Sequence, residues 1–105
     1  MVQKIKATDV TEEEALNAAF FERADEFIKQ ANDFCRTEKG SQVKHAEIRG
    51  QVSAAMLFGT ARFNTWVAAN NFKDGDEMRD AKEQVMSYIL QQFQMMLEDN
   101  YDEYC

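Results

Sequence analysis

Proline is absent from this sequence of 105 residues, and glycine occurs at only four positions: Gly40, Gly50, Gly59 and Gly75. A β-rich domain of this length needs several tight turns, which draw heavily on glycine and proline. Helices need far fewer turns. The composition therefore predicts an all-α fold of a few long helices, and the length corresponds to one domain.

The residue types that carry most catalytic and metal chemistry are also scarce. Two cysteines, Cys35 and Cys105, are too few for a disulfide framework, and His45 is the only histidine. A nucleophilic triad needs a histidine base, but His45 lies in a polar turn, where a surface residue is the favoured interpretation. A di-iron bundle needs paired Glu-x-x-His motifs, and the single histidine excludes that site in its usual form. A calcium loop around Gly75 fails because Ala81 stands where the bidentate glutamate belongs. We therefore expect no enzyme activity, no metal and no cofactor.

Long apolar runs and clustered basic residues are missing as well. No stretch approaches the roughly 18 to 20 apolar residues of a membrane span, and residues 1–10 lack the apolar segment of a signal peptide. The formal net charge is −7, and Lys and Arg are scattered rather than clustered as phosphate backbones and anionic membranes require. These absences predict an acidic, cytoplasmic protein that binds neither nucleic acid nor membranes.

A capping signal and a helical repeat of apolar residues define the first predicted helix. Glu14 follows Thr11 at the spacing of a capping box. Apolar residues then recur every three or four positions on one helix face: Leu16, Phe20, Ala24, Phe27, Ala31 and Phe34. We predict a helix over residues 12–38, preceded by a flexible segment over residues 1–10.

The second predicted helix, over residues 46–72, is apolar nearly all round. From Val52 to Ala69 its only charged residue is Arg62, and a helix of this kind is usually buried on several sides. Asp74 and Glu77 can cap a third helix, which we predict over residues 77–99. Three helices joined by short loops predict an up-down-up bundle in a single domain, residues 11–105.

The candidate site is the polar interruption of the second helix and the aromatic residues beside it: Arg62, Phe63, Asn64 and Trp66. A buried arginine is costly unless it is paired, so a structural interpretation gives Arg62 an acidic partner from a neighbouring helix: Asp25, Glu26 or Glu83. The functional interpretation is that Arg62 binds an anion or a partner. Gly59, which costs a helix interior about 1 kcal/mol relative to alanine, indicates that another helix packs closely there.

The same stretch resembles a known family. The residues that carry the resemblance are Val52, Ala54, Ala55, Leu57, Phe58, Ala61, Arg62, Phe63, Asn64 and Val67, a pattern similar to the core of a small bacterial family catalogued as domain of unknown function 3144. FFERADEFIKQAN (residues 20–32) and FQMMLEDNYDEY (residues 93–104) match that family in outline. The resemblance implies a short bacterial helical protein with no assigned activity, and it supplies no catalytic residue.

Three helices cannot enclose the central helix on all sides. Part of its apolar surface should stay exposed unless another chain covers it, and exposed apolar patches usually mark interfaces. We therefore predict an interaction module that binds an unidentified protein, or a second copy of itself, through the central helix or through the third helix. The alternatives are a small-molecule or anion binder with a pocket between helices near Arg62, and an acidic protein that docks onto a basic surface.

Overall fold

The structure is a computed structural model, and it describes residues 11–36 and 45–105. Helices are the only regular secondary structure in these two ranges, which confirms the predicted all-α class. Four helices follow one another: α1 (Glu12–Arg36), α2 (His45–Ala69), α3 (Gly75–Asp80) and α4 (Lys82–Tyr104). The predicted flexible segment 1–10 and the predicted last residues of helix 1, 37–38, lie outside the described residues.

Helix α1 begins at the predicted capping box. The amide of Thr11 donates to Oε1 of Glu14 over 2.9 Å, and the amide of Glu14 donates to Oγ1 of Thr11 over 3.0 Å. These two reciprocal bonds satisfy amides that the first turn leaves without a partner. The acidic side chains of Glu12 and Glu13 stand in the same turn, next to the positive end of the helix dipole.

Helix α2 starts and ends close to its predicted bounds of 46 and 72. It stops at Ala69 because the next amides bond to carbonyls three residues back: Asn71 to Ala68 over 3.0 Å and Phe72 to Ala69 over 3.2 Å. Nδ2 of Asn70 donates to the carbonyl oxygen of Trp66 over 2.8 Å. Bonds of this kind tighten the last turn and satisfy carbonyls at the helix end.

Asp74 caps helix α3 as predicted. Its Oδ1 accepts a hydrogen bond from the amide of Glu77 over 2.8 Å. The carboxylate of Glu77 reaches back to the amide of Lys73, also over 2.8 Å, one residue earlier than the capping box predicts. The turn between α2 and α3 is therefore fixed by two bonds between side chain and backbone.

The single helix predicted over residues 77–99 is divided in the structure. Ala81 adopts φ −93° and ψ 5°, and its amide is shared between the carbonyls of Glu77 and Met78. The chain then continues as α4 and remains helical to Tyr104, beyond the predicted end. No proline or glycine stands at the break, and the apolar repeat of the sequence continues through it. The sequence therefore carries no signal that would predict the break.

The chain divides into two compact units, one ending at Phe58 and one covering Gly59–Cys105. In the first unit Ile48 is 5% exposed, and it is the only buried residue among those that the structure describes. In the second unit half-buried residues recur at helical spacing. On α2 they are Asn64 and Ala68, and at the start of α4 and along it they are Ala81, Val85, Ile89 and Gln92. The remaining large apolar side chains of α2 and α4 in the second unit are exposed, so the described residues form only a small core.

Replacing Asp74 with alanine is expected to lower the free energy of unfolding by about 1 kcal/mol, because the amide of Glu77 loses its acceptor. Urea unfolding followed by far-ultraviolet circular dichroism measures this change. Asp74→Asn is the matched control, since its side-chain oxygen keeps the acceptor and should leave the midpoint unchanged. An equal loss in both variants would contradict the capping role.

Candidate functional site

The four candidate residues lie in the second unit on the last three turns of α2, and they do not share one side of the helix. Successive helical residues are about 100° apart. Asn64 therefore stands on the half-buried side with Ala68, whereas Phe63 and Trp66 stand 100° or more away from it. Phe63 is 62% exposed and Trp66 is 61% exposed. The two aromatic residues therefore face away from the half-buried side.

Phe63 and Trp66 form a ring pair on the surface of α2. Their ring centroids are 5.7 Å apart and the ring planes are tilted by 33°. A separation of three residues places both rings on neighbouring turns of one helix face, and the distance lies in the usual range for aromatic pairs. The contact gives this part of α2 an apolar surface with a defined shape.

Arg62 is exposed, in contrast to the structural interpretation of the sequence. Within the second unit its guanidinium forms no ion pair or hydrogen bond, including with Glu83, the predicted partner that this unit contains. The other two predicted partners, Asp25 and Glu26, belong to the first unit. An exposed guanidinium is solvated by water and needs no carboxylate to stabilise it. The buried polar network is therefore not formed within this unit.

Gly59 stands on the same side of α2 as Phe63 and Trp66, four and seven residues before them. A Cβ atom built on Gly59 would meet nothing within 4 Å. The close neighbour that the sequence indicated at this glycine is therefore not present among the described residues. Gly59, Arg62, Phe63 and Trp66 together form one uncovered surface, which we call the α2 patch.

The third predicted helix was the alternative interface, and α4 in that segment exposes an apolar surface whose particular residues the sequence interpretation did not single out. Its residues recur at steps of four, three and four and are between 42% and 61% exposed: Met86, Leu90, Phe93 and Leu97. We call this surface the α4 stripe. It lies roughly a quarter turn around the helix from the half-buried side chains of Val85 and Ile89. The regular spacing alone was the signal that could have revealed it.

One pocket of the second unit is lined by α4 alone. Its volume is about 630 Å³, and its lining residues are Glu83, Met86, Ser87, Leu90, Gln91 and Gln94. Because a single helix supplies them all, the pocket is an open depression beside the α4 stripe. Arg62 does not line it. This geometry differs from the pocket between helices that the alternative function requires.

The described residues contain neither a metal-binding cluster nor a membrane-spanning helix. No group of three or more His, Cys, Asp or Glu side chains is placed to hold a metal ion in residues 11–36 and 45–105. No helix in the same ranges combines the length and the apolar character needed to cross a membrane. In the second unit, the candidate surfaces that remain are the α2 patch and the α4 stripe.

These features define an all-helical protein whose candidate surfaces are exposed apolar helix faces. The profile of the family described as "Protein of unknown function (DUF3144)" matches residues 20–105, and the chain belongs to this family. The resemblance noted in the sequence is thereby confirmed. No curated protein and no solved structure matches the chain. The function must therefore be argued from the surfaces themselves.

Replacing Gly59 with alanine is expected to raise the free energy of unfolding by about 0.5 to 1 kcal/mol, because alanine favours the helix and the space beside Gly59 is open. Urea unfolding at high dilution measures this gain. Gly50→Ala is the matched control, since Gly50 is also helical and also open. A loss at Gly59 together with a gain at Gly50 would reveal a close neighbour that the described residues do not include.

Proposed function

We propose that this protein is an interaction module that self-associates through the α2 patch of its central helix. The observation that carries the proposal is the exposed aromatic pair of Phe63 and Trp66, each more than 60% exposed. Contiguous apolar surface of this kind on a soluble chain usually marks an interface. Aromatic residues are also the side chains that most often dominate binding energy at interfaces.

The small extent of burial supports association. Ile48 alone is buried among the described residues, whereas a domain of this length ordinarily buries about 65% of the surface that its unfolded chain exposes. Helices in proteins take most of their stability from packing of an apolar face. A fully buried large apolar side chain contributes about 1.5 to 3 kcal/mol. A partner that covers the α2 patch would supply packing that the described residues lack.

A second copy of the chain fits the α2 patch for three reasons. Two-fold symmetry brings the same patch of both copies together, so Phe63 and Trp66 meet an equally apolar surface. Gly59 allows the two helices to approach closely. Arg62 stands at the edge of the patch, and a chain with a net charge of −7 offers it carboxylates. The ion pair that the sequence suggested for Arg62 would then form between copies.

We further propose that α1, α2 and α4 close into the predicted up-down-up bundle when their apolar faces are covered. Their lengths of 23 to 25 residues support this, as matched helices pack along their whole length.

We place the protein in the bacterial cytoplasm, in line with the family resemblance and the acidic composition. Its net charge also supports the exclusion of nucleic acids and anionic membranes as partners.

Anion or small-molecule binding at Arg62 is the second candidate function. Its support is the guanidinium that carries no ion pair within its unit. The pocket on α4 does not include Arg62. Titration calorimetry with inorganic phosphate, using Arg62→Ala as the control, tests this candidate. Heats that are the same for both proteins would count against it.

The emission of Trp66 tests the main proposal, because this residue is the only tryptophan of the chain. We expect the emission maximum to move to shorter wavelength as the protein concentration rises from nanomolar to tens of micromolar, since association removes water from the indole. Sedimentation velocity over the same range should show the matching increase in mass.

The variant Phe63→Asp should suppress the shift of the emission maximum, because it places a carboxylate in the centre of the α2 patch. Thr65→Asp is the matched control: it adds the same charge to the same helix at an exposed position outside the patch. A constant emission maximum and a monomer mass at every concentration would contradict self-association.

A further inference from the structure

We propose that the α4 stripe is the interface for a second copy of this chain, bound with its α4 helix antiparallel. This inference concerns a different helix from the α2 patch and goes beyond the proposed function. Two observations carry it: the apolar spacing of the stripe and the distribution of charge along α4.

The α4 stripe has the spacing of a coiled-coil interface. Leu90 and Leu97 stand seven residues apart and occupy the positions called a in a heptad, while Met86 and Phe93 occupy the positions called d. All four side chains are exposed on the described surface. They therefore form an uncovered face of the type that another helix packs against.

The charge along α4 selects the orientation of the second helix. The first turn carries Lys82 and Glu83 and is neutral overall, whereas the last two turns are acidic, with Glu98, Asp99, Asp102 and Glu103. A parallel pair would place two acidic ends side by side, which costs binding energy. An antiparallel pair places each Lys82 beside the acidic end of the other copy. It also makes the dipoles of the two neighbouring helices point in opposite directions, which is favourable.

A specific register follows from pairing a positions with d positions. Leu90 then packs against Phe93 of the second copy, and Met86 packs against its Leu97. In this register Lys82 of each copy faces Glu103 of the other, because both residues flank the stripe at the positions called g. The two-fold axis repeats every contact, so one dimer contains two Lys82–Glu103 pairs. The same surface of α4 is therefore complementary to itself.

Charge reversal tests this register, and it is best done with Phe63→Asp present so that the α2 patch does not contribute. Lys82→Glu and Glu103→Lys each turn two attractive pairs into two repulsive ones. We expect each to raise the Kd of self-association about tenfold, as two exposed ion pairs are at stake. Both changes also suit the helix dipole, so a weakened α4 would not explain the loss.

An equimolar mixture of the two charge variants is the decisive sample. Every pair between positions 82 and 103 is again oppositely charged in the heterodimer, so the mixture should recover the affinity of the unreversed protein. Native mass spectrometry with one variant isotopically labelled measures the fraction of heterodimer. A mixture in which homodimers and heterodimers form at random would overturn the antiparallel register, because this register makes both homodimers repulsive and the heterodimer attractive.

A substitution in the stripe tests the surface itself. Leu90→Asp, also combined with Phe63→Asp, should weaken self-association roughly a hundredfold or more, since the dimer buries this leucine twice. Met95→Asp is the matched control: Met95 is 54% exposed and lies on the opposite side of α4. Far-ultraviolet circular dichroism should give the same helix content for both variants.

The two interfaces fail in distinguishable ways. A Phe63→Asp chain that is monomeric at every concentration would overturn the α4 proposal and leave the α2 patch as the interface. A Phe63→Asp chain that still dimerises, and that Leu90→Asp converts to a monomer, would support the α4 stripe. Equal dimerisation of the Leu90→Asp and Met95→Asp variants would overturn it.

Discussion

A long α-helix in water is stable only when its apolar side chains are covered, and this constraint bears on every described part of the molecule. Hydrogen bonds within the helix replace bonds to water and contribute little net free energy, so packing has to offset the entropy of ordering the chain. Here three helices of 23 to 25 residues carry apolar residues that remain exposed. The surfaces that could bind a partner are therefore also those that the fold most needs to cover.

The parts of the fold that depend on neighbouring residues could be predicted from the sequence. Thr11 and Asp74 were identified as caps because a capping bond joins residues only three apart, so the chain itself supplies both partners. The break at Ala81 could not be predicted, since alanine favours helices and its backbone there is set by a shared hydrogen bond with no side-chain signal. The extension of α4 to Tyr104 reflects the same limit, because acidic residues neither require nor prevent another helical turn.

The candidate site was predicted only in part, for a reason that lies in packing. Sequence spacing correctly grouped Phe63 and Trp66 on one side of a helix, because the helical repeat alone fixes that. It gave Arg62 a buried environment on the premise that an apolar helix is enclosed by its own chain. In the second unit this premise does not hold, and Arg62 is exposed. Whether a surface is covered depends on contacts between distant residues or between chains, which spacing within one helix does not contain.

Two self-complementary surfaces on one chain have a consequence for assembly. Each of them alone would give a closed dimer related by a two-fold axis. Together they would give a closed tetramer if the two axes are perpendicular and meet, and an open polymer otherwise. Net charge opposes both outcomes, because every added copy brings a formal charge of −7. The positive groups at the edges of the surfaces, Arg62 and Lys82, reduce this repulsion where the chains meet. Apolar contact thus supplies the affinity, and the few cations near it determine which orientation is tolerated.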